Sequence, residues 1–410
     1  MRRSAAALLL VCALAACEKE PTPEPPSASA LPEYGQAIVE PGIETDNLLD
    51  LVTGAAVVSR SGDFTLDSAA VHAIDGMPET GWVSAPGASD ETLVFSLLAP
   101  ARVTHAGLTT PVPDQRPDSV RFEGSADGVR WHELAALNVQ ATNGRQLAAV
   151  SSKTSVRFIR IHALTRDRYY IGARTFQVLG EETGPPRTPA FTGCWTINGT
   201  RAHITQNGAR ITGVIESDPP TFLDGGTNNR VAPLLWTRGA AWGYAALTRS
   251  NDGRQLTGIT FHEEITGKFI GEGWFGVRCD GAATTPIPDA AAFLARSGRY
   301  TLFGLAFDAN ERLIEELSEP ALDAAAKLFR DAPRQRFRVT SREFRFESDA
   351  LNARHAEARL TALRNAFQAR GVDTSRLELV AAGNRWIGPP IRSQIQLLMA
   401  SRIDIETVGR

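Results

Sequence analysis

Four cysteines, seven histidines and 46 acidic residues are the groups in this 410-residue chain able to act on a substrate or hold a metal. Catalysis needs such groups at fixed spacings, and those spacings are missing. His262-Glu263-Glu264 lacks the second histidine of a helical zinc motif, and there is neither a Gly-Lys-Ser or Gly-Lys-Thr phosphate loop nor a Gly-x-Ser-x-Gly elbow. A non-catalytic chain is expected. An accessory chain of a cell-wall or glycan hydrolase, with an unrecognised site, is the alternative.

The cysteines fall into two groups. Arg2 and Arg3 open a positive start, Ala5 to Ala16 form an apolar run too short to span a bilayer, and Leu14-Ala15-Ala16-Cys17 resembles a lipobox. The resemblance to bacterial lipoproteins implies a signal peptide over residues 1–16 and a lipidated Cys17, with an ordinary secretory signal as the other reading. Residues 17–44, rich in Pro, Glu and Ser, read as a flexible linker. Glu18 after the cysteine implies the outer membrane, with the chain facing the periplasm. Cys12 leaves with the signal. Cys194 and Cys279 remain as a pair in a disulfide-permitting compartment, and no His or Cys sits beside either at metal-ligand spacing.

Composition sets wider bounds. An apolar content of 43% and a formal net charge of −3 describe globular material of two to three domains, with no sign of a nucleic-acid binder. No second long apolar run exists.

Residues 45–180 alternate like an antiparallel β-sandwich, as in Thr92-Leu93-Val94-Phe95-Ser96-Leu97, Ser119-Val120-Arg121-Phe122-Glu123 and Ser155-Val156-Arg157-Phe158-Ile159-Arg160-Ile161. Ala73-Ile74-Asp75-Gly76-Met77-Pro78-Glu79-Thr80-Gly81-Trp82, then Gly124-Ser125-Ala126-Asp127-Gly128-Val129-Arg130-Trp131, then Arg157-Phe158-Ile159-Arg160-Ile161 carry a resemblance to the discoidin, or coagulation-factor type C, family. That resemblance implies a galactose-binding-like jelly roll, with the Asp-Gly pairs at turns and Trp82 and Trp131 in the inter-sheet core. It further implies calcium at Asp75, helped by Thr80, although the family's closing acidic ligand is Thr175 here. A turn cap is the other reading of Asp75. Family members bind sugars or lipid headgroups at one end of the sandwich, and sugar binding needs an aromatic platform beside polar groups. The candidate is Arg166-Asp167-Arg168-Tyr169-Tyr170, with Arg166, Tyr169 and Tyr170 as glycan contacts; a solvated loop is the alternative. His72 and His105 read as packing or surface histidines.

Residues 191–281 show six or so short strands with aromatic-glycine alternation, a small all-β, barrel-like domain. Trp195, Trp236, Trp242 and Trp274 are expected in its core or lining. A Cys194–Cys279 bridge would tie its first strand to its last.

Residues 298–410 read as α+β. A strand over Tyr300–Asp308, a helix beginning near Pro320 with Ser318 as cap, a strand over Arg336–Thr340, a helix from Asp349 to Arg370 ended by Gly371, and strands at Leu377–Val380 and Arg402–Ile405 are expected. Leu302-Phe303-Gly304-Leu305-Ala306-Phe307-Asp308, Ser318-Glu319-Pro320-Ala321-Leu322, and Asn352 with Arg359 seven residues on resemble the OmpA-like, peptidoglycan-associated family. The resemblance implies that Asn352 and Arg359 bind peptidoglycan, an arginine and an aspartate gripping the zwitterionic end of its peptide. The aspartate position is Phe344, and Glu343 can replace it only if the loop shifts, because strand neighbours face opposite ways. A degenerate scaffold is the alternative.

The expected whole is a lipid-anchored envelope protein binding glycan or cell wall. Its rival is a structural lipoprotein that recognises an envelope protein, both ligand sites being dead.

Overall fold

In the computed structural model, residues 38–40, 46–110, 113–262, 270–344, 348–383 and 391–408 are described. The expected signal peptide, Cys17, nearly all of the expected linker, and Glu263 and Glu264 lie outside them. The first segment contains β1 (Ile38–Glu40), β2 (Ala56–Arg60), β3 (Trp82–Val83), β4 (Asp90–Thr109), β5 (Ser119–Ser125), β6 (His132–Asn138), β7 (Arg145–Ala149), β8 (Ser155–Leu164), β9 (Gly172–Ala173) and β10 (Thr175–Glu182). Apart from these strands its described residues hold only short 3-10 turns. β4 organises the sandwich. Its first half pairs with β2 and β8, its second half with β7 and β10, and the register shift between Ser96 and Ala101 lets one strand serve both groups.

Phe176 sits at the centre of this core, its ring centroid 6.0 Å from Trp82, 6.3 Å from Phe95 and 6.3 Å from Phe122. Trp82 is fully buried as expected. Trp131 is not a core residue: it follows the Asp127-Gly128 turn, stays partly exposed, and is covered by the Arg160 guanidinium 4.4 Å above its ring. Asp127 Oδ1 accepts from the Val129 and Arg130 amides, while Gly128 takes the positive φ of 76° that the turn requires.

The middle segment is a closed barrel of eight strands, two more than expected: β11 (Gly193–Ile197), β12 (Thr200–Asn207), β13 (Arg210–Ile215), β14 (Thr221–Gly226), β15 (Ala232–Arg238), β16 (Ala241–Arg249), β17 (Gln255–His262) and β18 (Ile270–Cys279). The strands missed from sequence are β14 and β15, buried on both faces and so without alternation. Trp195, Trp236 and Trp274 fill the interior with Ile211, Leu223 and Leu247. Trp242 points outward instead, against Tyr244 at 6.0 Å. The outer face is apolar too. Val214, Phe222, Leu235, Tyr244, Ile259 and Phe261 belong to a core continuous with the segments on either side, which makes the barrel a hub.

The last segment starts earlier than expected, with α1 (Ala290–Ser297), capped by Asp289 and ended by Gly298. It continues through β19 (Arg299–Thr301), α2 (Glu315–Asp331), β20 (Arg336–Arg342), α3 (Asp349–Ala369), β21 (Leu377–Gly383), α4 (Gln394–Ala400) and β22 (Ile403–Val408). The sheet order is β19-β22-β20-β21, with only β20 and β21 parallel. The strand expected over Tyr300–Asp308 stops at Thr301, because the next residues turn to the barrel: Phe303 meets Tyr244 at 6.0 Å. α2 begins at Glu315, so Pro320 is inside it; Ser318 does not cap but bonds the Ala306 amide at 2.9 Å. Among the described residues no helix is long and apolar enough to cross a membrane.

Candidate functional site

Three loops meet at one end of the sandwich, held by backbone bonds that leave their side chains outward. Phe64 N donates to Val83 O, Ser84 N to Ile171 O, Gly87 N to Tyr169 O and Thr165 N to Ser89 O, at 2.7 to 3.0 Å. The two-stranded β3–β9 ribbon fixes the spacing beneath them. Three aromatic rings come together there. Phe64 and Tyr170 lie edge to face at 5.2 Å, and Tyr170 and Tyr169 at 4.9 Å. Tyr169 is 64% exposed and Phe64 49%. Apolar rings this open are ordinarily buried, so the cluster offers surface for a partner with a flat apolar face.

The surrounding polar groups divide into part-buried anchors and exposed groups, of which Asp167 accepts a bond from Arg168 at 3.4 Å. Arg168 is an anchor: its guanidinium and the Arg166 amide both bond the Asp118 carboxylate. Burial raises the Asp118 carboxyl, but the bonds from Arg166 and Arg168 outweigh it and hold the group below its usual range. The Arg166 and Asp167 side chains are exposed next to Tyr169. On the Phe64 side, Arg60 pairs with Asp63, and its guanidinium stacks 3.7 Å above Phe275 of the barrel. Burial lifts the Glu91 carboxyl, which accepts from Ser61. The structure thus brings Tyr169 and Tyr170 together with Phe64, which sequence reasoning missed, and leaves the Arg166 side chain exposed on the same loop. A lone aromatic in the polar run Ser61-Gly62-Asp63-Phe64-Thr65 was the available signal.

Asp75 is fully buried inside its turn. Oδ1 accepts from the Met77 amide at 2.9 Å, the Thr80 hydroxyl contacts both oxygens at 2.8 and 2.9 Å, and His72 Nδ1 lies 3.0 Å from Oδ2. Calcium asks for six to eight oxygen ligands, several from carboxylates. These residues do not fit it: the set has one carboxylate, faced by an imidazole, and Thr175 lies across from Thr109 in the ladder. Among the described residues no group of three or more His, Cys, Asp or Glu could hold a metal ion. His72 is the buried packing residue expected, and His105 is partly exposed.

Cys194 and Cys279 form the disulfide, at directly opposed positions of β11 and β18 where the barrel closes.

Arg359 faces a cavity of about 690 Å³ that Glu343 and Phe344 also line. Its guanidinium bridges two buried carboxylates, Glu311 and Glu343, and lies 4.8 Å from the Phe307 ring centroid. The strand rule applied to Glu343 does not hold, because β20 ends at Arg342 after a register shift; the Glu343 carboxylate therefore reaches Arg359 directly. Asn352 lies two helical turns before Arg359 on α3 and is fully buried. It is not among the residues lining the cavity.

No curated protein matches the chain. Similar solved structures include the C-terminal domain of a chitobiase from Bacteroides fragilis, 18% identical over 32% of this chain and 97% of that one, with a TM-score of 0.30. A chitosan-binding module from a Paenibacillus chitosanase/glucanase, in complex with chitotriose, is 22% identical over 32% of this chain and 100% of that one, with a TM-score of 0.29. A family 32 carbohydrate-binding module from Clostridium perfringens, in complex with galactose, is 15% identical over 32% and 97%, with a TM-score of 0.29. Residues 56–175, which hold Phe64, Tyr169, Tyr170 and the Asp75 turn, match the family model of the F5/8 type C domain.

Proposed function

We propose that this chain is a non-catalytic envelope lipoprotein, anchored through Cys17 to the outer membrane and facing the periplasm, whose F5/8 type C domain binds a glycan. The observation that carries the glycan reading is the aromatic trio of the exposed Phe64 and Tyr169 and the half-buried Tyr170, set on fixed loops beside the exposed Arg166 and Asp167 side chains. A pyranose presents C–H groups on its face to an aromatic ring and hydroxyls around its rim to charged groups. Isothermal titration against a panel containing galactose, lactose and chitotriose tests it. Binding weakened by Tyr169→Ala and Phe64→Ala supports the site; a wild-type chain that binds no sugar of the panel overturns it. Acylation of Cys17, read by labelling with a fatty-acid analogue and lost in Cys17→Ser, tests the anchor.

A second reading concerns the last segment. The sheet order β19-β22-β20-β21, with β20 and β21 parallel, supports an OmpA-like domain, and the cavity beside Arg359 supports peptidoglycan as its ligand. Arg359 would meet the ligand carboxylate, and Glu343 would take the place of the aspartate that Phe344 displaces. Sedimentation with purified sacculi, lost in Arg359→Ala, is expected. Failure to sediment, together with failure on the sugar panel, would leave the structural reading with an envelope protein as partner.

A further inference from the structure

The loop that carries Phe64 borders a second open space. Ser59, Arg60, Ser61, Asp63, Phe64 and Thr65 line a hollow of about 610 Å³. The residues that follow rest on the barrel. A Cβ on Gly273 of β18 would lie 2.8 Å from Val71 Cγ1, 3.1 Å from Ala69 Cβ and 3.2 Å from Leu66 O, so a glycine is what lets the strand come this close. Beside it, Thr257 of β17 accepts from the Val57 amide at 2.9 Å. Strand alternation then turns Trp274 into the barrel and Phe275 out of it, where the Arg60 guanidinium covers the Phe275 ring. Asn198 fixes that strand, its Oδ1 accepting from the Phe275 amide at 3.0 Å and its Nδ2 donating to Gly273 O at 2.9 Å. Arg60 is exposed; its Nε bonds Asp63, and its Nη atoms have no hydrogen-bond partner among the described residues.

We propose that the barrel extends the aromatic platform, Arg60 and Phe275 forming a second subsite that takes a further sugar residue of the same glycan chain. This rests on the glycan reading above and adds the class of glycan: an oligosaccharide held along its length, in place of a single terminal sugar. Phe64 belongs both to the platform and to the lining of the hollow, so a chain stacked on Tyr169 and Phe64 continues over the hollow toward Arg60. There the guanidinium is a flat cation held against an aromatic ring, with its Nη fork open to two neighbouring hydroxyls. The exposed Ser59 and Thr65 hydroxyls border the path, and Asp63, which accepts from the Ala70 amide at 3.0 Å, keeps the loop in shape. Phe275 lies outside residues 56–175, so the sandwich alone leaves this subsite incomplete. The barrel thereby adds a preference for chain length to loops that by themselves meet one sugar.

The test is titration calorimetry on the full chain with two series of probes: N-acetylglucosamine, chitotriose and chitohexaose, and galactose with its β-1,4-linked trimer and hexamer. In the series that binds, the hexamer is expected to bind at least ~10-fold more tightly than the monosaccharide, the scale of one further ring contact. Arg60→Ala and Phe275→Leu are each expected to remove that preference and leave the monosaccharide affinity at the wild-type value, whereas Tyr169→Ala weakens every length. Phenylglyoxal labelling of the wild-type chain, read by peptide mass at Arg60, is expected to slow with the hexamer and not with the monosaccharide, a readout independent of either variant folding. A wild-type affinity that gains nothing with length, a length preference that both variants keep, or Arg60 labelling that the hexamer leaves unchanged overturns the second subsite and spares the platform. No binding in either series overturns both.

Discussion

Cutting the Cys194–Cys279 bridge tests how the barrel is held shut. Every other seam of the barrel joins strands adjacent in sequence, whereas β11 and β18 meet across a separation of 85 residues. Restricting a loop of that length in the unfolded chain removes about 15 cal/mol/K of entropy, or about 4.5 kcal/mol at 25 °C. Such a loss would raise the unfolded-to-folded ratio roughly 2,000-fold, a large part of the stability of an ordinary domain. Urea unfolding of wild type and of a Cys194→Ser, Cys279→Ser double variant, followed by tryptophan fluorescence, measures it directly, because Trp195 and Trp274 sit on the two seam strands. Reduction of the wild-type chain should reproduce the variant. A loss below about 1 kcal/mol would refute the reasoning: the outer face, continuous with the neighbouring cores, would then hold the seam without a covalent tie.

Tyr169→Ala and Phe64→Ala should each weaken glycan binding by about 1–2 kcal/mol, roughly 5- to 30-fold, with Tm unchanged, since both side chains face solvent; a loss of Tm with unchanged affinity would sink the platform. Arg210→Met strands the Asp224 carboxylate, which is 2% exposed, and should cost about 3–5 kcal/mol in urea unfolding. A cost below 1 kcal/mol, on the scale of a surface pair, would contradict that. Glu91→Gln should stabilise the chain at neutral pH, because burial raises the folded carboxyl and ionising it weakens the folded state. The difference should shrink as pH falls through the raised folded value and vanish below the unfolded value near ~4.3. A gap that stays constant from pH 7 to pH 3 would mean that proton linkage is not the cause.

Local patterning showed the sandwich. Alternating strands such as Ser155–Ile161 and the Asp-Gly turns expose their geometry in a few neighbouring residues, and the F5/8 type C match covers that stretch. The same rule failed for β14 and β15, where both faces are buried and alternation vanishes. It failed again at Tyr300–Asp308, where a strand-like run leaves the sheet to meet the barrel. Trp131 and Trp242 are apolar in type, but one is covered by Arg160 and the other stands outside the barrel, which no local pattern reports.

By itself the sequence determined which groups are present: the pairable Cys194 and Cys279, the Tyr169-Tyr170 loop, Arg359, and a Phe344 where a carboxylate was expected. Tertiary structure decided what those groups meet. Phe64 joins the tyrosines from a loop about a hundred residues away in sequence, Glu343 turns to Arg359 because its strand has already ended, and the barrel supplies part of the cavity wall. The reason is physical. Secondary structure and turns follow from interactions a few residues long, whereas a site is a coincidence of distant side chains, fixed only when apolar faces find their partners.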